Sequence, residues 1–140
     1  MGVVGFSFSK FDCKRNPVNV SGGIEVKHNI NIKQVEKTSL SVGGSKNDVL
    51  KIYFMFEIVY GENMGSLLVE GDLIYADTKE IIEETVKSWS IDKNLNQTVS
   101  EVVFKFIYNK TAVKVLDLAD SLGLPSPIPL PTVSFGEKKQ

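Results

Sequence analysis

The sequence predicts an α+β domain: a four-stranded antiparallel sheet with helices packed on one side. Two observations predict it. Between residues 3 and 76, four segments carry apolar residues at alternate positions, separated by stretches rich in turn residues. From Asp77 onward the apolar spacing changes to that of helices, and the helical part ends in a run of alternate prolines. At 140 residues, 42% hydrophobic and 24% charged, the chain is long enough for one domain with one core.

The first strand is read over 3–11, with Val4, Phe6 and Phe8 on one face and Ser7 and Ser9 on the other. A long connection with proline and paired glycine follows over 14–23. The second strand, "GIEVKHNINIK", sets Ile24, Val26, His28, Ile30 and Ile32 against Glu25, Lys27, Asn29, Asn31 and Lys33. The stretch 41–48, "SVGGSKND", is read as a break. In the third strand Leu50, Ile52, Phe54, Phe56, Ile58 and Tyr60 share one face. The other face carries Val49, Tyr53, Met55 and Val59 beside Lys51 and Glu57. A hairpin-type connection, "GENMG" at 61–65, leads to the fourth strand, "SLLVEGDLIYAD".

Asp77 and Glu80 are read as a capping box opening a helix through Trp89, with Ile82, Val86 and Trp89 on its stripe. Thr98 and Glu101 repeat the pattern before a helix over about 99–122. That helix is apolar nearly all round, Val102, Val103, Phe106, Val113 and Leu116 included, so cover from more than one side is expected, with a second subunit supplying part of it. Leu122-Gly123-Leu124-Pro125 reads as a left-handed glycine stop followed by a proline. The stretch "SLGLPSPIPLP" should then run extended, without joining a sheet interior, and lay Ile128, Leu130, Val133 and Phe135 on an apolar surface.

The net charge of −1, with both signs dispersed, argues against a nucleic-acid or membrane-surface protein. Cys13 is the single cysteine, so neither an internal disulfide nor a thiolate zinc centre is expected. The first residues lack the basic start and apolar run of a signal peptide, and no stretch approaches the ~20 apolar residues of a membrane span. A reducing, cytoplasmic setting is therefore expected, without membrane insertion.

Chemistry is sparse. His28, the single histidine, lies on the apolar face of the second strand and reads as a satisfied structural residue. It lacks partners for a metal site, and no signature joins it to Cys13 as a catalytic pair. Glu80, Glu83 and Glu84 suit the start of a helix, and Glu57 and Glu70 suit a strand surface. The pairs Gly22-Gly23 and Gly43-Gly44 match no phosphate-binding fingerprint, and the N-x-S/T sequences at Asn19, Asn96 and Asn109 have no secretory context. No cofactor, metal or catalytic residue is expected. The unusual feature is the apolar second face shared by Tyr53, Met55, Val59, Leu68 and Ile74. It suits an oligomer interface or a groove for extended apolar peptides, and methionine and aromatics make such a groove adaptable.

Four strands, a long helix, and "GLPSPIPLPTVSF" after it resemble the SecB family of protein-export chaperones. In that segment a helix-ending glycine precedes Ile128, Leu130, Val133 and Phe135 at the family's spacing, with Pro131 one position earlier than the family's proline. "VEGDLIY", Val69–Tyr75, resembles the family's fourth-strand motif, with Leu73-Ile74-Tyr75 where the family has Gly-Ile-Phe. The resemblance covers about 3–135 of a single domain spanning 1–140, leaving a short tail at 136–140.

It implies a homo-oligomer, a dimer of dimers with long helices sandwiched between sheets. It also implies an ATP-independent holdase that binds unfolded or non-native polypeptides, in the family for export. Tyr53, Met55, Val59, Leu68, Ile74 and Trp89 are the client contacts expected on this reading. Two departures argue against docking to the export ATPase. The sequence ends five residues after Phe135, where the family continues into a second long helix and a mobile tail, and Leu68 stands where members often carry an acid. Two alternatives remain open: a dedicated chaperone for a single partner such as an antitoxin, and a hotdog-like acyl-ligand binder or thioesterase.

Overall fold

The computed structural model describes residues 2–17, 24–61 and 63–128. Strands β1 (Gly2–Arg15), β2 (Val26–Val42), β3 (Ser45–Tyr60) and β4 (Gly65–Ala76) precede helices α1 (Lys79–Asp92) and α2 (Gln97–Leu122). The strands form one antiparallel sheet in the order β1-β4-β3-β2. The expected α+β fold is thus the observed one, a four-stranded antiparallel sheet with the long helix on one side.

The two central strands show why the fold is specified. Alternate residues of β3 from Leu50 to Tyr60 are fully buried, as are Leu67, Val69 and Leu73 of β4. These residues form one face, onto which Ile82 and Trp89 of α1 and Val99, Val103, Ile107, Val115 and Ala119 of α2 pack. Each large apolar side chain taken from water there contributes about 1.5–3 kcal/mol. Phe6 stacks on Phe54 with centroids 5.3 Å apart, tying edge strand β1 to the centre.

Three register shifts refine the alternation. In β1, shifts between Val3 and Gly5 and between Phe8 and Lys10 leave Val4 and Ser9 without partners; in β2 the shift falls at Lys33. Val4 therefore does not share the face of Phe6 and Phe8 as expected. It is 59% exposed, while Val3, Phe6, Phe8 and Cys13 pack on the core. A bulge resets the inward side, and alternation alone cannot reveal it.

The break expected over 41–48 is confined to two residues. Val42 pairs with Ser45, and Gly43 and Gly44 turn between them with φ of 57° and 83°. Positive φ at both central positions is the two-residue hairpin geometry that continues the twist of its strands. The polar residues on either side of it belong to strands, because the hairpin ladder pairs them in register.

Both helices begin where local chemistry allows, though one residue or more from the expected caps. Thr78 caps α1 by accepting from the Ile81 N–H at 3.3 Å. Asp77 instead accepts from the Thr78 N–H and the Tyr75 hydroxyl, each at 2.7 Å. Partial desolvation pushes the Asp77 carboxyl up, but these two hydrogen bonds outweigh it and leave the group below its ordinary value. Asn96, not Thr98, caps α2, its side chain accepting from the Thr98 N–H at 2.9 Å. Asn96→Ala is expected to cost about 1 kcal/mol of unfolding free energy in urea titrations, and Thr98→Ala well under half of that.

The buried residues of α2 are Val99, Val103, Ile107, Thr111, Val115 and Ala119. A row with a strict four-residue step advances about 40° per step around a helix of 3.6 residues per turn, so the buried stripe winds about 200° along α2. Of the residues read as making this helix apolar all round, Val103 belongs to the wound stripe, and Val102, Phe106, Val113 and Leu116 do not. Beside the stripe, Val102, Phe106 and Leu116 are half-buried, Val102 packing on the core and the Phe106 ring 5.5 Å from that of Phe6, while Val113, opposite it, is 72% exposed. The helix ends as expected, with Gly123 left-handed at φ 68° and the Leu124 N–H donating to Ala119 O at 2.9 Å.

Candidate functional site: the uncovered face of the sheet

Because both helices pack on one face, the opposite face of β3 and β4 has no helix over it among the described residues. Five of the six predicted contact residues lie there. Tyr53, Met55, Leu68 and Ile74 are half-buried, and Val59 is 36% exposed. Trp89 does not join them: it lies in the core on the helix side, 7% exposed, under the Lys93 ammonium 5.6 Å from its ring. Its placement follows from the stripe it shares with Ile82. A residue on that stripe faces the sheet, not solvent.

Strand register arranges the five as a zigzag. Ile74 pairs across from Lys51, Tyr53 from Asp72, Met55 from Glu70, Leu68 from Glu57 and Val59 from Ser66. Each apolar residue thus faces a polar one directly, and its apolar neighbours lie along the strand or on the diagonal, within reach of long side chains. The line runs from Ile74 through Tyr53, Met55 and Leu68 to Val59. A narrow apolar track bordered by polar groups is the result.

Polar contacts hold part of this track. The Tyr53 hydroxyl donates to Glu36 Oε1 at 3.1 Å, and the Lys51 ammonium lies 5.4 Å from the Tyr53 ring centre. Lys33 Nζ meets Glu70 Oε1 at 3.2 Å. Between them lies a depression of about 400 Å³ lined by Ser9, Lys33, Gln34, Glu36, Tyr53 and Glu70. It crosses all four strands, and two of the bulged residues, Ser9 and Lys33, stand at its two edges. Nothing in the spacing of the sequence announced it, because the bulges that shape it are invisible to alternation.

The other residues considered for chemistry are separated. Cys13 and His28 lie on opposite edge strands, and burial pushes the Cys13 thiol up, away from the thiolate form a nucleophile needs. His28 has a structural partner, Nε2 lying 2.6 Å from Pro127 O. Among the described residues, no group of three or more His, Cys, Asp or Glu could hold a metal ion, and no helix is long and apolar enough to cross a membrane.

Ile128 packs on the core as expected of the proline segment, but the chain bends at Pro127 and Ile128 where an extended path was expected, and Leu130, Val133 and Phe135 lie outside the described residues. No protein-family model, curated protein or solved structure matches the chain.

Proposed function

We propose that this protein is an ATP-independent holdase of the SecB kind, cytoplasmic, taking non-native polypeptides in extended form. The single observation that carries the reading is the zigzag track from Ile74 to Val59, on a sheet face with no helix over it among the described residues. An extended client presents side chains alternately, so apolar residues could meet the track while polar groups meet the depression beside it. Tyr53, Met55, Val59, Leu68 and Ile74 are the contacts in this reading, and Trp89 serves the core. In this reading no nucleotide or cofactor takes part, and nucleic acid is not a partner.

The test is light scattering from a chemically unfolded client diluted with and without the protein, with no nucleotide present. Suppressed aggregation at near-stoichiometric ratios supports a holdase. Absence of suppression across several clients sinks it.

The oligomer belongs to the same proposal. In a dimer of dimers, the stripe of Val102, Phe106, Val113 and Leu116 is the side of α2 that faces a second copy. Val113, 72% exposed in the single chain, stands at its centre. Val113→Asp should then halve the particle mass or more in analytical ultracentrifugation, while the far-ultraviolet circular dichroism stays unchanged. An unchanged mass would place the contact elsewhere.

A further inference from the structure

The segment after α2 is held in an unusual way. Leu124 is 6% exposed and seats against Gly65, where an added Cβ would stand 3.3 Å from its Cδ2. Pro127 is buried and Ile128 packs on the core. Two side chains reach the backbone between them. The Tyr60 hydroxyl donates to Pro125 O at 2.7 Å, and His28 Nε2 lies 2.6 Å from Pro127 O. The two donors come from adjacent strands, since His28 pairs with Ile58 and Val26 with Tyr60. Burial pushes the Tyr60 hydroxyl up to about 12, so it keeps the proton it donates.

The backbone bends at Pro127 and Ile128, and the contacts made to it go to carbonyls. Proline offers no N–H, so a proline-spaced chain can be recognised by its outward carbonyls and by the apolar residues between them. Here the carbonyls of alternate residues, 125 and 127, are both engaged by side-chain groups. The segment carries its own brace, the Ser126 hydroxyl donating to Ile128 O at 2.5 Å. At the position of Pro127, the buried one of the two, another residue would bring an amide N–H into a seat that satisfies carbonyls, and would be disfavoured for that reason.

We infer that the seat formed by His28, Tyr60 and the start of β4 is a binding site for proline-spaced apolar segments of other polypeptides, which the chain's own residues 124–128 occupy as a competitor. The inference deepens the holdase reading and rests on it for what the site serves. Displacing the chain's own segment would uncover apolar surface at one end of the core, at the cost of the contacts that segment makes. An incoming segment must therefore compete with an internal copy, and the observed affinity is reduced by the fraction of time the seat is free.

The test uses a fluorescent peptide of the sequence LPSPIPLP, residues 124–131, and a control with alanine at each proline. Anisotropy titrations compare the full chain with the full chain carrying Pro125→Gly and Pro127→Gly, which loosen the internal segment without altering its seat. The variant should bind the proline peptide about five- to tenfold more tightly than the parent. Adding Tyr60→Phe should weaken that binding about fivefold by removing one donor. The alanine control should bind more weakly throughout.

Equal binding by parent and variant, or indifference to Tyr60→Phe, overturns the inference. So does growth of the variant into larger particles with no gain in peptide binding, which would mean exchange of the segment between copies. Light scattering on the same samples separates the two readings. Client protection without peptide binding sinks the inference alone. Peptide binding without client protection supports the seat and sinks the holdase.

Discussion

Gly71→Ala is expected to lower stability by about 3 kcal/mol, toward the upper end of the cost of overpacking a core. Gly71 lies in the middle of β4, paired with Phe8 on one side and Phe54 on the other. A Cβ there would overlap the Ser7 carbonyl oxygen and stand 2.8 Å from Phe54 Cζ. The first neighbour is backbone, and the second is a fully buried ring already stacked on Phe6. Neither can move without disturbing the sheet. Calorimetry should show the midpoint falling by about 10 °C for a chain of this size. Gly2→Ala is the control: an added Cβ meets nothing within 4 Å, and its midpoint should stay within about 1–2 °C of the parent. Equal midpoints for the two variants would mean that Phe54 and β1 are less closely packed than described.

The second large effect concerns function. Replacing Tyr53 and Met55 together by Ser should raise the amount of protein needed for half-maximal client protection by about fivefold or more, since a few central contacts dominate such surfaces. Both side chains point away from the core, so unfolding free energy should change by no more than about 1–2 kcal/mol. Phe54, between them in sequence, is the contrast. It is fully buried on the opposite face, and Phe54→Ala should cost about 3–5 kcal/mol. Should the double variant protect clients as well as the parent but sediment as smaller particles, these residues are an interface between copies and the track is not a client site.

How much of this was legible in the sequence differs by element. The alternation of β3 and β4 announced the faces correctly, because in a central strand one face is wholly buried and a one-residue slip would invert every side chain. The glycine stop after α2 was also legible, since a left-handed residue and the proline beyond it are local chemistry. The helix starts were only approximately legible: Thr78 and Asn96, not Asp77 and Thr98, make the capping bonds. Several cap-forming residues stand side by side there, and which one caps depends on the path by which the strand or loop arrives.

The candidate site divides in the same way. Tyr53, Met55, Val59, Leu68 and Ile74 were found together because a shared strand face is a matter of parity. Trp89 is expected beside them as a client contact, yet its helical phase with Ile82 points it inward. The depression and the seat of the proline segment were not legible. Both are made by residues far apart in the chain, Lys33 with Glu70 and Tyr60 with Pro125.

By itself the sequence determined the four strands, the two helices and the inward face of each central strand, because these depend on local periodicity and backbone chemistry. Only the tertiary structure decided the strand order β1-β4-β3-β2, the three bulges, and the winding of the buried stripe around α2. Those features depend on which distant segments close on one another. Burial and hydrogen bonding reward such closure only once the whole sheet is assembled.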